Sequence, residues 1–338
     1  MTTTQPPLTE GELCPPELLG GQETAFARDV ARLRARAAEF TPVDCPACGT
    51  PGGPEAIAKW GFTWRACPAC ATRYMSPRPS EAVLADYYRD SENYAYWAAH
   101  IFPASEDARR EKLHRPWLAR IADYCRQAGT PTGTLVEVGP GFGTFSALAR
   151  ESGTFGRVIA VEPTPQLAAA CRARGVETVE ARIEDAAAAL PPADVVAAFE
   201  VIEHLHDPGR LVAAAAGILR PGGLLVLSCP NGLGFDIQAL GAASSAVDPE
   251  HVNLFSPAGL GLLLEAHGFR VASLTTPGRL DAEFVREAAL AGEADLSGQP
   301  LLRRILIDEW ERLGGPFQRF LADNGLSSHM WIAARRDG

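Results

Sequence analysis

Between Thr134 and Ala147 the chain reads TLVEVGPGFGTFSA, and no other stretch constrains its fold as tightly. Leu135 to Val138 is a short apolar run rich in β-branched residues. Gly139, Gly141 and Gly143 follow at once, and a helix-forming ALAR segment begins just beyond them. That order predicts a strand, a glycine turn and a helix N-terminus. Glycine is needed where the backbone takes positive φ or lies directly against a ligand, and the helix start offers unpaired N–H groups. The spacing is G-x-G-x-G, with Thr144 where the dinucleotide pattern G-x-G-x-x-G has its third glycine. This favours another adenosine-bearing ligand.

A glycine turn alone also occurs in α/β proteins without any ligand, so the next strand matters. Arg157 to Val161 (RVIAV) ends in Glu162, 19 residues after Gly143. An acidic side chain at that strand tip can accept hydrogen bonds from both ribose hydroxyls of a nucleoside. From Gly129 onward strands and helices alternate: strands at 135–138, 157–161, 176–180, 194–199, 224–229 and 269–275, helices at 144–152, 165–174, 207–219 and 257–267. Such alternation predicts an α/β fold, a parallel sheet with helices on both faces and the strand C-termini on one ligand-binding rim.

The chain has 338 residues, 46% of them hydrophobic, enough for one large domain with accessories. A net charge of −10 argues against a polyanion-binding surface, and so against nucleic acid as a partner. No run reaches the roughly 18 apolar residues of a membrane span, and MTTTQPPLTEGELCPP has neither a basic n-region nor an apolar h-region. A cytoplasmic location is expected, where paired cysteines serve metals more often than disulfides.

Residues 1 to about 20 read as a loosely docked arm, and 23–40 as an amphipathic helix through Phe26, Val30, Leu33 and Ala37. Cys45-Pro-Ala-Cys48 and Cys67-Pro-Ala-Cys70 are separated by eighteen residues. Two C-x-x-C knuckles complete a tetrahedral Zn²⁺ site, and a Cys₄ set leaves no open position, so the ion would be structural. Unligated turns or redox pairs are the alternative. KWGFTWRA between the pairs suits a small hairpin. Tyr87, Tyr88, Tyr94, Tyr96 and Trp97 in the following aromatic segment either cap a ligand or pack the small unit onto the large one. The expected organisation is an arm and helix over 1–40, a zinc ribbon over 41–76, a helical cap or linker over 77–130 and the main domain over 131–338.

The fourth strand leads into Glu200-Val-Ile-Glu203-His204-Leu-His206-Asp207-Pro208, followed by LRPGG and SCPN. Glu200, Glu203 and His204 fall at i, i+3 and i+4, on one side of a helical turn. His204 and His251 are candidate bases, since neutral imidazole takes protons near pH 7. Asp207 reads as a helix cap. His100, His114, His267 and His329 read as structural, as do Cys14, Cys125, Cys171 and Cys229.

The ordered set EVGPGFG, AVEP, EVIEHLHDP, LRPGG and SCPN resembles the class I S-adenosylmethionine-dependent methyltransferases over about Thr134 to Val271, and most closely the ubiquinone-biosynthesis O-methyltransferase branch. The ribbon with RYMSPRP and the tail FQRFLADNGLSSHMWIAARR are similar, more loosely, to bacterial enzymes of sugar, polysaccharide or natural-product pathways. The resemblance implies a Rossmann-like, seven-stranded, mostly parallel sheet. Its last strand, Met330 to Ala334, would run antiparallel between the fifth and sixth, with a helical insertion over 277–328. It implies that Gly139, Gly141 and Gly143 line the methionine part of the cofactor, with Glu137 reaching its ammonium. Glu162 would hold the ribose, Pro163 would flank the adenine with Ile183 and Glu184 on its other side, and Glu200 would pass the sulfonium.

Related enzymes use a Glu-x-x-Glu-His group for a divalent metal. Glu200, Glu203, His204 and His251 would then hold Mg²⁺ or a similar ion, unless Glu203 and His204 only organise the loop. The implied activity is methyl transfer to a small-molecule acceptor, first an oxygen of a sugar, polysaccharide precursor or natural-product intermediate, with Glu203, His204 and His251 as catalytic candidates. An RNA methyltransferase holding its substrate on the ribbon, and a non-catalytic binding module, are the alternatives.

Overall fold

The computed structural model describes residues 8–337. Its central sheet has seven strands in the order Phe269–Thr275, His329–Arg336, Leu219–Pro230, Ala193–Phe199, Thr134–Val138, Arg157–Val161 and Glu177–Val179. The strands on the Thr134–Val138 side pair in parallel. His329–Arg336 runs antiparallel to both its neighbours. This is the expected class I arrangement.

The central strand Ala193–Phe199 is buried at every residue, as a strand covered on both faces must be. Side chains alternate between two cores. Val136, Val138, Val196 and Ala198 meet Leu211, Leu260 and Leu264 on one face. Leu135, Val195, Ala197 and Phe199 meet Leu118, Ile121, Phe145 and Leu148 on the other. Each fully buried aliphatic side chain contributes about 1.5–3 kcal/mol, so these layers hold the rim rigid.

The two cysteine knuckles are built alike. Gly49 N–H donates to the Cys45 carbonyl at 2.8 Å and Ala71 N–H to the Cys67 carbonyl at 2.9 Å. Both closing residues sit at positive φ, +70° and +61°. The hairpin Glu55–Lys59 and Phe62–Ala66 lies between them as expected. The ribbon sheet nevertheless borrows its fourth strand from far downstream, because Asn253–Leu254 pairs with Arg73–Met75. The helix Pro257–Ala266 then docks flush on the second knuckle. A Cβ on Gly259 would lie 2.0 Å from Thr72 Oγ1 and 3.2 Å from Cys70 Sγ, so only glycine permits that approach.

Further ties fasten the ribbon to residues 244–256. Lys59 Nζ donates to the Ser244 and Val247 carbonyls at 3.0 and 2.9 Å, and Trp64 Nε1 to the His251 carbonyl at 2.9 Å.

The N-terminal helix runs over Pro16–Ala35, so it begins inside the stretch read as an arm. The reason is tertiary: Gly21 lets the Tyr96 ring lie against the helix, where a Cβ would meet it at 2.4 Å. Of the rest of the arm, residues 1–7 lie outside the described residues, and Glu10–Leu13 forms a helical turn. The insertion contains the helices Asp281–Leu290, Pro300–Arg303 and Trp310–Asp323 around a core of Val285, Leu296, Leu306 and Leu321.

Candidate active site

The glycine turn leaves the strand Thr134–Val138, next to the central strand, and enters the helix Thr144–Ser152. Gly139, Gly141 and Gly143 have φ of +66°, +56° and +74°. The three have different neighbours. A Cβ on Gly139 would reach Val201 Cγ2 at 2.6 Å and one on Gly143 would reach Cys171 Sγ at 2.8 Å, whereas Gly141 faces open space. Gly143 therefore packs the turn onto the next helix, and Gly139 and Gly141 border a cavity.

That cavity measures about 680 Å³ and is bordered by Gly139, Gly141, Glu162, Pro163, Ile183, Glu184 and Glu200. Tyr88 and Tyr94 also line it, so part of the aromatic segment does cap the site. Tyr87 instead donates to Glu250 Oε1 at 2.6 Å. The Glu162 carboxylate accepts from Thr164 N–H at 2.9 Å, and burial pushes its pKa up. An adjoining space of about 350 Å³ is bordered by Glu137, Gly139, Phe142 and His204. Glu137 is buried and accepts from the Ser146 hydroxyl, and burial raises its pKa to about 7 against that hydrogen bond.

Glu200 follows the central strand with φ +54°, a strained conformation for a residue with a Cβ. Its Oε1 accepts from the Ser228 hydroxyl at 2.6 Å and lies 2.9 Å from His329 Nε2. Desolvation pushes the carboxyl up, but the His329 charge and these hydrogen bonds outweigh it and hold the pKa at about 2. His329, which reads from the sequence as structural, thus joins the candidate site through its contact with Glu200. It reaches Glu200 because the antiparallel last strand pairs His329 with Pro230 at the rim.

On the far side, Glu200 and His329 border a separate chamber of about 300 Å³. Its roof is Leu8 and Leu13 of the arm, and its walls include Trp117 and the start of the insertion at Pro277 to Asp281.

Below the rim, Glu203, His204 and His251 form a cluster whose candidate ligand atoms all lie within 4.8 Å of one another. His204 Nδ1 is 3.1 Å from the Glu250 carbonyl and His251 Nδ1 is 2.9 Å from the Ala246 carbonyl. Each ring therefore presents Nε2 as the free lone pair. Glu203 is fully buried, and both of its carboxylate oxygens lack a hydrogen-bond partner among the described residues. Burial and the neighbouring Glu200 charge push its pKa well up, and burial with His251 takes His204 down to about 3. A carboxylate stripped of water and hydrogen bonds is costly unless a cation meets it, so this donor set fits a metal ion. Glu200 is turned away from the cluster, toward His329. The four cysteines also converge, with Sγ separations of 3.6 Å for Cys45 and Cys70 and 3.5 Å for Cys48 and Cys67. Four thiols gathered without disulfides fit a tetrahedral ion.

Residues 107–274 match a methyltransferase domain family. A ubiquinone biosynthesis O-methyltransferase of Xanthomonas campestris pv. campestris is 29% identical over 164 residues, 46% of this chain and 67% of that protein. One from Xylella fastidiosa is 39% identical over 159 residues, 43% of this chain and 63% of its own length. C-methyltransferase NovU of Streptomyces niveus is 28% identical over 200 residues, 57% of this chain and 46% of that protein. The matches thus span between about half and two thirds of those relatives. With the strand order and the glycine turn, they define the class: the chain is a class I S-adenosylmethionine-dependent methyltransferase.

Proposed function

We propose that the chain methylates a small-molecule acceptor, an oxygen of a sugar, polysaccharide precursor or natural-product intermediate. One observation carries the reading: Glu200 borders both the cavity behind the glycine turn and the chamber under the arm and insertion. A chamber of about 300 Å³ suits a small ligand.

In this reading Glu162 accepts from the ribose hydroxyls, Pro163, Ile183 and Glu184 border the adenine, and Gly139 and Gly141 admit the methionine part, whose ammonium meets Glu137. When bound, the cofactor supplies an electrophilic methyl carbon and takes back the sulfur–carbon electron pair as the acceptor's lone pair bonds to that carbon. Glu200 offsets positive charge at the junction of the two spaces. His329 faces the chamber as the imidazolium that Glu200 stabilises, so it orients the acceptor oxygen as a hydrogen-bond donor while the acceptor proton passes to water. The similarity to NovU keeps a carbon nucleophile as a second reading. Incubation with methyl-labelled cofactor and a panel of sugars, sugar conjugates and phenols tests the proposal. Label recovered only in RNA would overturn it.

Glu137 imposes a pH dependence. Its raised pKa means that the ligand-free protein is stabilised at low pH and loses that contribution as pH rises through about 7. Binding an ammonium requires the ionised form, so cofactor affinity should run the opposite way. It should rise toward pH 7.5, by up to about tenfold per pH unit below 7. Calorimetric titrations across this range should show the slope in the native protein and a flat, weaker profile in Glu137→Gln. A flat native profile would remove Glu137 from ammonium binding.

We further assign a structural Zn²⁺ to the four cysteines and a divalent ion to Glu203, His204 and His251. Two imidazoles favour a transition metal over Mg²⁺. Mild chelation that leaves one zinc per chain should lower turnover about 100-fold or more, with S-adenosylhomocysteine affinity retained and activity restored by Mn²⁺ or Fe²⁺. Turnover indifferent to chelation would leave Glu203 as a buried neutral acid with no metal role.

A further inference from the structure

We propose that the acceptor carries an oxyanion group, a carboxylate or a phosphate, which sits against the cationic side of the chamber formed by Arg109, Lys112, Arg120 and Arg279. The inference rests on the chamber being the acceptor site. It names a chemical class that neither the fold nor the relatives specify.

The chain is acidic, with a net charge of −10, yet four of its cations line this one space. Three of them gather beneath the arm. Arg109 donates to the Leu13 carbonyl at 2.9 Å, Lys112 pairs with Glu12, and Arg279 donates to the Lys112 carbonyl at 3.0 Å. Arg120 approaches from the helix Arg115–Ala128, donating to Thr275 Oγ1 at 3.2 Å with its guanidinium 5.2 Å from the Trp331 ring centre.

Two of these cations lack a counter-charge. Among the described residues no carboxylate pairs with Arg109 or Arg120. Arg109 also donates to the Ser105 hydroxyl at 2.9 Å and lies 5.4 and 5.0 Å from the Trp97 and Phe102 ring centres, contacts that carry no negative formal charge. Burial lowers the Arg109 pKa, the signature of a guanidinium removed from water without full compensation.

The chamber's own acids do not supply that charge. Glu200 is committed to His329 and Ser228. Asp281 accepts from the Ser327 hydroxyl at 2.9 Å, from Ser328 N–H and from Gln318. A guanidinium presents its donors in a planar fork matched to carboxylate and phosphate oxygens. Trp117 and Phe284 supply apolar walls for the remainder of the acceptor. An anionic acceptor seated this way would hold its nucleophile toward the Glu200 and His329 end, where the two spaces meet.

The full-length protein saturated with S-adenosylhomocysteine should be titrated calorimetrically with 1-naphthoate, 1-naphthyl phosphate and neutral 1-naphthamide. At least one anion should bind about tenfold or more tightly than the amide, and the tighter of the two identifies the oxyanion. Arg120→Gln should reduce the preference severalfold, and the double change with Arg109→Gln should abolish it. Arg126→Gln, on an exposed face of the same helix, should leave it unchanged. If the double variant fails to fold, judged by its thermal transition, Arg120→Gln alone carries the test.

Equal binding of amide and anions, no binding of either anion, or a preference left undiminished by Arg120→Gln would overturn the proposal. A preliminary titration with S-adenosylhomocysteine separates the two levels. Failure there removes the cofactor assignment. Success there without charge preference removes only the anionic acceptor.

Discussion

Cys67→Ser is expected to release zinc, unfold the ribbon and take activity with it, while the seven-stranded sheet survives. Structural Zn²⁺ in such small units contributes about 10–16 kcal/mol of apparent binding energy, comparable with or larger than the ~5–15 kcal/mol that holds a whole domain folded. The hairpin has only Ile57, Phe62 and Trp64 as its own buried anchors, too few to persist without the ion. The consequence reaches the catalytic region through the shared strand Asn253–Leu254 and through the Trp64 bond to the His251 carbonyl. Losing those ties frees the loop that presents His251 to Glu203 and His204.

Elemental analysis should show no zinc. Thermal unfolding should show an added low-temperature transition, and turnover should fall by about 100-fold or more. Cofactor affinity should fall much less, because Glu162 and the glycine turn belong to the central sheet. A zinc-free native protein with an unchanged thermal transition would show that the cysteines carry no ion.

Glu162→Ala is the second large effect. A carboxylate accepting from two ribose hydroxyls makes two charge-assisted hydrogen bonds, each contributing about 1.5–3 kcal/mol. Truncation should therefore weaken S-adenosylhomocysteine binding by about 100-fold or more. Stability should change little or improve, since burial already raises the Glu162 pKa and its resident hydrogen bond is to the nearby Thr164 N–H. Affinity unchanged in a folded variant would remove Glu162 from the ribose site.

How much was legible in the sequence follows from how local each signal is. The strand Thr134–Val138, the glycines and the helix Thr144–Ser152 are contiguous, so pattern and turn chemistry reveal them together. The paired cysteines are legible because each C-x-x-C knuckle is self-contained. The insertion and the antiparallel last strand came from family resemblance rather than from periodicity. The helix Pro16–Ala35 starts earlier than its sequence suggests, because Gly20 and Gly21 look like breakers. The Tyr96 ring that makes Gly21 useful lies 75 residues away. Nothing in the sequence around His329 signals a site. Its partner Glu200 is 129 residues earlier and is met only across the sheet.

What the sequence determined by itself was the class: an adenosine-type site at the end of a strand, acids one strand apart, and four thiols spaced for one ion. These are short-range features whose backbone geometry is dictated by residue type. The tertiary structure alone decided the rest. It placed the Asn253–Leu254 strand in the ribbon, turned Glu200 from the Glu203, His204 and His251 cluster to His329, and closed arm and insertion over a cationic chamber. Each of these juxtaposes segments far apart in the chain, and such contacts leave no local periodicity to read, since packing rather than propensity selects them.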